Sequence, residues 1–358
     1  MENAIRWSAC VLLMSCIVCG PAAARDTISA TPSQPSQPDA QQASTRLSFV
    51  RAFSSASDVG RSHPILDKTL DIIAGPKEAE TRVDVLHSPT ALTTDSKHRV
   101  FVADPGANTV HVFDFIRSKY SLVEKGDYGM HAPVALAVDG RDNLYVIDRS
   151  SRTVLMYDSA GKLRGHLGKL KGGESYFDNP VAIAIDRTTG RIYICDRYRQ
   201  MIIIMDNQGR VLGKIGKRGG GDRPGEFRLP SQVAVGGSEV FVLDAGNTRI
   251  QIFDTAGNFR RVIDLAYIEG RAGLAIDNQG NIYVSDPTLN RIQVFRHDGQ
   301  PFYTFDPSTI DPSTIGGANF GHPSALWVDT GYCLYAVDSE SNHVGLFQIS
   351  GQNGRHCQ

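Results

Sequence analysis

Six times along the chain, two short runs of β-branched and aromatic residues flank a polar five-residue turn. Ile282 to Gln300 (IYVSDPTLNRIQVFRHDGQ) is the clearest copy, and equivalent nineteen-residue stretches begin at Val100, Leu144, Ile192, Val240 and Leu334. Apolar runs of this length predict strands, and a polar turn between two of them predicts an antiparallel pair. The fifth position is aspartate in every copy: Asp104, Asp148, Asp196, Asp244, Asp286 and Asp338. These aspartates are 44, 48, 48, 42 and 52 residues apart, a spacing that suits one four-stranded blade of a β-propeller. Another strand precedes each pair, opened by Pro89, Pro133, Pro180, Pro230 and Pro323, but by Ala272 after Arg271 in the fifth copy. Proline at the first residue of a strand loses no ladder hydrogen bond. A fourth strand follows each pair, such as KLRGHLG from Lys162 or RVLGKIG from Arg210. The pattern therefore predicts an all-β chain: a six-bladed β-propeller of four-stranded antiparallel blades, closed by an N-terminal strand.

The need for that closing strand follows from the C-terminus. The last copy ends near Gly351, so blade 6 has no fourth strand of its own. Two N-terminal runs are available, Leu47 to Phe53 (LSFVRAF) and Lys68 to Ala74 (KTLDIIA). Gly75 precedes Pro89 by 14 residues, as Gly216 precedes Pro230. That match favours Lys68 to Ala74 as the closing strand and leaves Leu47 to Phe53 as an added strand or brace.

Ahead of these runs the composition changes twice. Residues 1–24 carry Arg6, an apolar run from Trp7 to Cys19 and then Ala22-Ala23-Ala24, the pattern of a secretory signal peptide. Its apolar run is too short to span a bilayer as an anchor, so no transmembrane segment is expected in the mature chain. Leu13-Met14-Ser15-Cys16 resembles a bacterial lipidation box apart from Met14, which gives a lipoprotein as the second reading of an otherwise periplasmic or secreted protein. Residues 25–44 are rich in Ser, Pro, Gln and Ala and predict a disordered linker. Residues 45–358 are then the propeller. The mature chain keeps Cys195, Cys333 and Cys357. Cys195 sits in a strand and reads as a small buried residue; Cys333, in a predicted turn, and Cys357 either pair or remain two free thiols.

The recurring unit, a proline-opened P-x-x-(hydrophobic)-A-(hydrophobic)-D strand followed by G-N-I-Y-V-x-D and N-x-R-I-Q-V-F-D-x-x-G, resembles the NHL-repeat family of six-bladed propellers. Gly280 to Phe295 and Ala245 to Gly257 carry the likeness best, which extends over roughly Lys68 to Gly351. Arg117 replaces the turn glycine in blade 1, and blade 6 departs at Gly345. The long stretch from Leu47 to Gly60 looks like that of secreted bacterial members. The resemblance implies the fold and a binding role. It also includes enzymes: an amidating lyase with zinc-binding histidines, gluconolactonase-like hydrolases and strictosidine synthase-like proteins. The positions matching the lyase's histidines hold Thr90, Val134, Val181, Ser231, Ala272 and Ser324, which are not good zinc ligands. RNA binding, implied by cytosolic relatives, conflicts with the signal peptide.

Candidate chemistry is sparse. An aspartate repeated six times just before a turn predicts scaffolding, its carboxylate accepting backbone N–H bonds or pairing with Arg152, Arg249 or Arg291. His87, His131 and His322 stand one or two residues before the opening prolines of blades 1, 2 and 6, contiguous once the ring closes. They form a candidate metal set, although their registers differ by one residue. The glycine-rich link from Gly216 (GKRGGGDRPGEF) has no Lys-Ser or Lys-Thr and no following helix, so it is not a phosphate loop. Asp306 to Ile310 recurs as Asp311 to Ile315 and reads as a duplicated surface loop. Whole-chain charge is -1, but residues 141–228 hold 17 Lys plus Arg against 10 Asp plus Glu. Arg149 and Arg197 directly follow the aspartates of blades 2 and 3, with Tyr198 and Arg199 alongside. Together these four form a candidate basic and aromatic platform for an anionic group. The expectation is a monomeric binding scaffold without a cofactor, partnered by a protein or an anionic glycan or lipid and not by nucleic acid. A metal-assisted hydrolase or lyase on the same face is the alternative.

Overall fold

Backbone amides within a β-strand find their partners in neighbouring strands, and the described residues form six antiparallel sheets of four. The computed structural model describes residues 46–59, 85–125, 129–268, 272–315, 320–350 and 357. The signal peptide, the linker and Lys68 to Ala74 lie outside the described residues. In blade 2 the strands run Pro133–Val138, Leu144–Asp148, Thr153–Tyr157 and Leu163–Leu167, from the axis outward. Blades 1 and 3 to 5 repeat this order. Every hairpin closes on one register: Asp104 faces Thr109, Asp148 faces Thr153, Asp196 faces Met201, Asp244 faces Arg249, Asp286 faces Arg291 and Asp338 faces His343. The residue before each of these partners is left-handed: Asn108, Arg152, Gln200, Thr248, Asn290 and Asn342 have φ between 48° and 59°. Asparagine tolerates that region best after glycine, which explains its three appearances there.

Six hydrophobic cores lie between neighbouring blades, and the set closes the ring. Phe101 and Val146 share the core of blades 1 and 2, while Leu92, Val100, Tyr335 and Val337 share that of blades 6 and 1. Three residues before each opening proline stands a large apolar side chain, Leu86, Met130, Phe177, Phe227 or Phe320, at most 2% exposed. Each pins the link from the previous blade under the ring. Gly168 is required for this in blade 3, since a Cβ there would lie 2.1 Å from the Phe177 ring.

The closing strand is Leu47–Phe53, which pairs antiparallel with His343–Ile349 as the outermost strand of blade 6. This corrects the preference for Lys68 to Ala74. A shift of register between Phe49 and Arg51 leaves Val50 bulged and 39% exposed. Residues 47 and 53 would share a face in a regular strand, but the bulge reverses the parity. Leu47 therefore enters the core of blades 5 and 6, and Phe53 that of blades 6 and 1. Cys333 opens a strand rather than sitting in a turn, and it is disulfide-bonded to Cys357 with 5.8 Å between the Cα atoms. Cys195 is free and buried. The repeated Asp-Pro-Ser-Thr-Ile segments form two short 3₁₀ turns. Among the described residues no helix is long and apolar enough to cross a membrane.

Candidate functional site

Turns after the strand-end aspartates and links into each inner strand share one face of the ring. The aspartates build that face. Asp104 accepts the backbone N–H groups of His87, Ser88 and Ala107 at 2.6, 3.0 and 3.1 Å. Asp148 accepts those of His131, Ala132 and Ser151 at 2.6, 3.0 and 2.9 Å. Asp196 bonds Asp178 and Asn179 in the same way, and Asp338 bonds Gly321 and His322. Each carboxylate thus ties an incoming link to its own turn. Burial pushes the Asp104 carboxyl up, but the His111 imidazole and the three N–H bonds outweigh it and hold it below its ordinary value. In Asp148 burial is likewise outweighed by N–H bonds from Ser151, Ala132 and His131.

In blade 4 Asp244 likewise accepts the Arg228 backbone N–H at 2.7 Å, and in blades 4 and 5 arginines join the aspartates. Arg249 Nε lies 2.9 Å from Asp244, and its other nitrogens donate to the carbonyls of Asp222, Arg223 and Glu226. Buried Gln251 joins Glu226 O, Asp244 and the Gly225 N–H. The glycine-rich link is therefore fastened to blade 4, its backbone occupied by the protein itself. Arg291 pairs with Asp286 at 3.2 Å. Arg152 makes no such pair among the described residues. It occupies the left-handed turn position, one residue before the site from which Arg249 and Arg291 reach back.

The structure places Arg149 and Arg197 at the same position on adjacent blades. Their backbone N–H groups bond Ala132 O and Asn179 O, both at 2.9 Å. Among the described residues neither guanidinium makes a hydrogen bond or an ion pair. Tyr198 is 69% exposed beside Arg197. Arg199 is engaged, 3.2 Å from Asp178 and 3.6 Å from Asp196, with its guanidinium 5.1 Å from the centre of the Tyr176 ring. Arg228 escaped the sequence reading. It stands exposed in the link into blade 4, and its neighbour Leu229 is 42% exposed with φ 49°. A bulky left-handed residue just before proline is a costly conformation, and here it presents an apolar side chain to solvent beside a cation with no ion pair among the described residues. Arg228 stands two residues before Pro230, as His87 and His131 stand before Pro89 and Pro133, and its backbone N–H bonds Asp244 at 2.7 Å; the repeat marks the position but not its charge.

His87, His131 and His322 share this face through their backbone bonds to Asp104, Asp148 and Asp338. The His322 imidazole lies against the Glu340 carboxylate. Among the described residues no group of three His, Cys, Asp or Glu side chains is placed to hold a metal ion. Inside the ring, all six inner strands line an axial cavity of about 370 Å³.

These features define a six-bladed β-propeller with a tied, partly basic face and an axial cavity. A family described as "6-bladed beta-propeller" matches the chain over residues 178–284. No curated protein matches it. Among solved structures it is similar to a streptogramin B lyase, with 12% identity over 74% of this chain and 94% of that one and a TM-score of 0.55. It is also similar to a protein of unknown function from Bacteroides thetaiotaomicron VPI-5482, with 14% identity over 86% of this chain and 76% of that one and a TM-score of 0.58. At such identities the likeness is one of fold.

Proposed function

We propose that the protein is an exported NHL-type propeller that acts as a binding scaffold, holding an anionic partner on the face of the aspartate turns. One observation carries this reading: two guanidinium groups, Arg149 and Arg197, with no hydrogen bond or ion pair among the described residues, project from equivalent, rigidly tied turns of neighbouring blades. A cation on a preorganised turn loses little freedom on binding, and guanidinium matches carboxylate, sulfate and phosphate oxygens with paired donors. Exposed Tyr198 adds a flat apolar contact, and Arg228 extends the charge towards blade 4. The partner is an acidic glycan, an anionic lipid surface or an acidic protein.

The test is binding of the native protein and the Arg149→Ala/Arg197→Ala variant to arrays of acidic glycans and to vesicles with and without anionic lipid, at low and high salt. Salt-sensitive binding by the native protein that the variant loses is expected. Unchanged binding by the variant, or none to any anionic surface, would overturn the reading.

A further inference from the structure

The opposite end of the axial cavity holds a cation that the proposed face does not use. Arg187 follows the inner strand of blade 3 (Pro180–Ile185), at the end of the channel away from Arg149 and Arg197. Its side chain crosses the channel. Nε donates to Val138 O of blade 2 at 3.3 Å and Nη2 to Thr94 O of blade 1 at 2.8 Å. The guanidinium carbon lies 5.8 Å from the centre of the Trp327 ring of blade 6, the blade opposite blade 3 in a ring of six. Trp327 is itself fixed by its Nε1–H bond to Thr94 Oγ1 at 2.9 Å. Gly140 lets the turn of blade 2 approach, because a Cβ there would lie 2.7 Å from Arg187 O. The guanidinium is thus held as a bar across the channel by three other blades.

Those two bonds use two of its five N–H donors. Among the described residues no carboxylate lies within ion-pair distance of Arg187, which lines the cavity and keeps exposed surface. Three carboxylates line the same end, but each is buried and closed by its own turn. Asp186 accepts from Thr188 and Thr189, Asp277 from Gln279, Asn281 and Tyr283, and Asp329 from Gly331 and Cys333. Burial also raises the Asp329 carboxyl, towards its neutral form. Asp142, Asp95 and Asp139 also act on Arg187 through space, but their carboxylates are engaged by Ser96, Arg99 and Asn143, so the group with donors to spare at this end is the guanidinium. Above it the walls are apolar, with Val181, Ile183, Leu274 and Leu326 among them.

We propose that the axial cavity is a pocket for a small carboxylate with an apolar body, its charged end on the Arg187 guanidinium and its tail along the inner strands. At ~30 Å³ per water, the cavity has room for roughly twelve water-sized groups, which suits a medium-chain acid. Held in place by its two carbonyl bonds, a guanidinium that pairs with a carboxylate discriminates against a neutral isostere. The pocket stands apart from the reading of Arg149 and Arg197, and either can fail alone.

The probe is octanoate, titrated calorimetrically into the native protein and into Arg187→Gln, Arg187→Lys and Arg149→Ala/Arg197→Ala variants, with octanol as the neutral comparison. Saturable binding of one octanoate is expected, at least tenfold tighter than octanol. Arg187→Gln should weaken octanoate tenfold or more, Arg187→Lys only a few-fold, and the Arg149/Arg197 variant should bind as the native protein does. Absence of saturable octanoate binding, equal affinity for octanol, or native-like binding by Arg187→Gln would overturn the proposal. Should Arg187→Gln fail to fold, the octanoate-to-octanol ratio of the native protein and the affinity of Arg187→Lys decide it.

Discussion

Replacing Phe53 by alanine isolates the contact by which the N-terminal strand closes the ring. Phe53 is 1% exposed, with its ring centre 4.9 Å from that of Phe113 and 5.0 Å from that of Phe115, both in blade 1. Truncating a buried phenylalanine removes its transfer free energy and leaves a cavity, a loss of about 3–5 kcal/mol. A domain of about 300 residues unfolds with an entropy near 0.6 kcal/mol/K, so the melting temperature should fall by roughly 5–8 °C. Phe241→Ala, equally buried in the core of blades 4 and 5, should cost as much without touching the closure. Deleting residues 1–53 should do far more than either. It strips the partner from His343–Ile349, removes Leu47 and Phe53 from two cores, and exposes an unpaired strand edge that invites association. Calorimetry and light scattering on proteins lacking residues 1–45 and 1–53 provide the assay. Equal melting temperatures and equal mass for the two truncations would refute closure by Leu47–Phe53.

Three further outcomes are expected. Cys357→Ser should lower stability by about 3 kcal/mol, because the bridge to Cys333 closes a loop with a sequence separation of 24 and so restricts the unfolded chain; thermal unfolding with and without reductant checks it. Thr248→Gly should raise stability by up to about 1 kcal/mol, since a β-branched residue is held there at φ 49° where glycine is unstrained; denaturant unfolding measures it. Asp104 and Asp148 have folded pKa values below their unfolded ones. Their stabilisation is complete above the unfolded value near 3.9 and is lost as pH falls through the lower folded values. Melting temperature should therefore drop steeply below about pH 4, and Asp148→Asn should be less stable at pH 7 yet flatter through that acid range.

How much of this was legible in the sequence depended on whether a residue obeyed the repeat. The hairpin aspartates did, and blade number, strand order and the tying of the turns followed from them. Arg149 and Arg197 were visible for the same reason, one position after an invariant mark. The closing strand was not, because LSFVRAF and KTLDIIA alternate equally well and the bulge at Val50, which lets one strand serve two cores, leaves no trace in composition. Arg152 was misplaced by one residue, where the left-handed turn separates it from the reach of Arg249 and Arg291. Arg228 and Arg187 do keep the repeat register, two residues before an opening proline and one after the inner-strand aspartate, but the residue type varies at both positions, and Arg187 matters only because three distant blades meet its side chain. The large apolar residue three before each proline was readable, from Leu86 to Phe320, as a second repeating mark.

The central claim, that the face of the aspartate turns receives an anionic partner, is tested most directly by hydrogen exchange of the protein saturated with the tightest-binding anion of the array. Slowed exchange confined to the turns 149–152 and 197–200 and the link 226–229 is expected, with the turns 158–162 and 206–210 of the opposite face unchanged. Protection of those opposite turns alone, with the aspartate turns exchanging as in the free protein, would contradict the account.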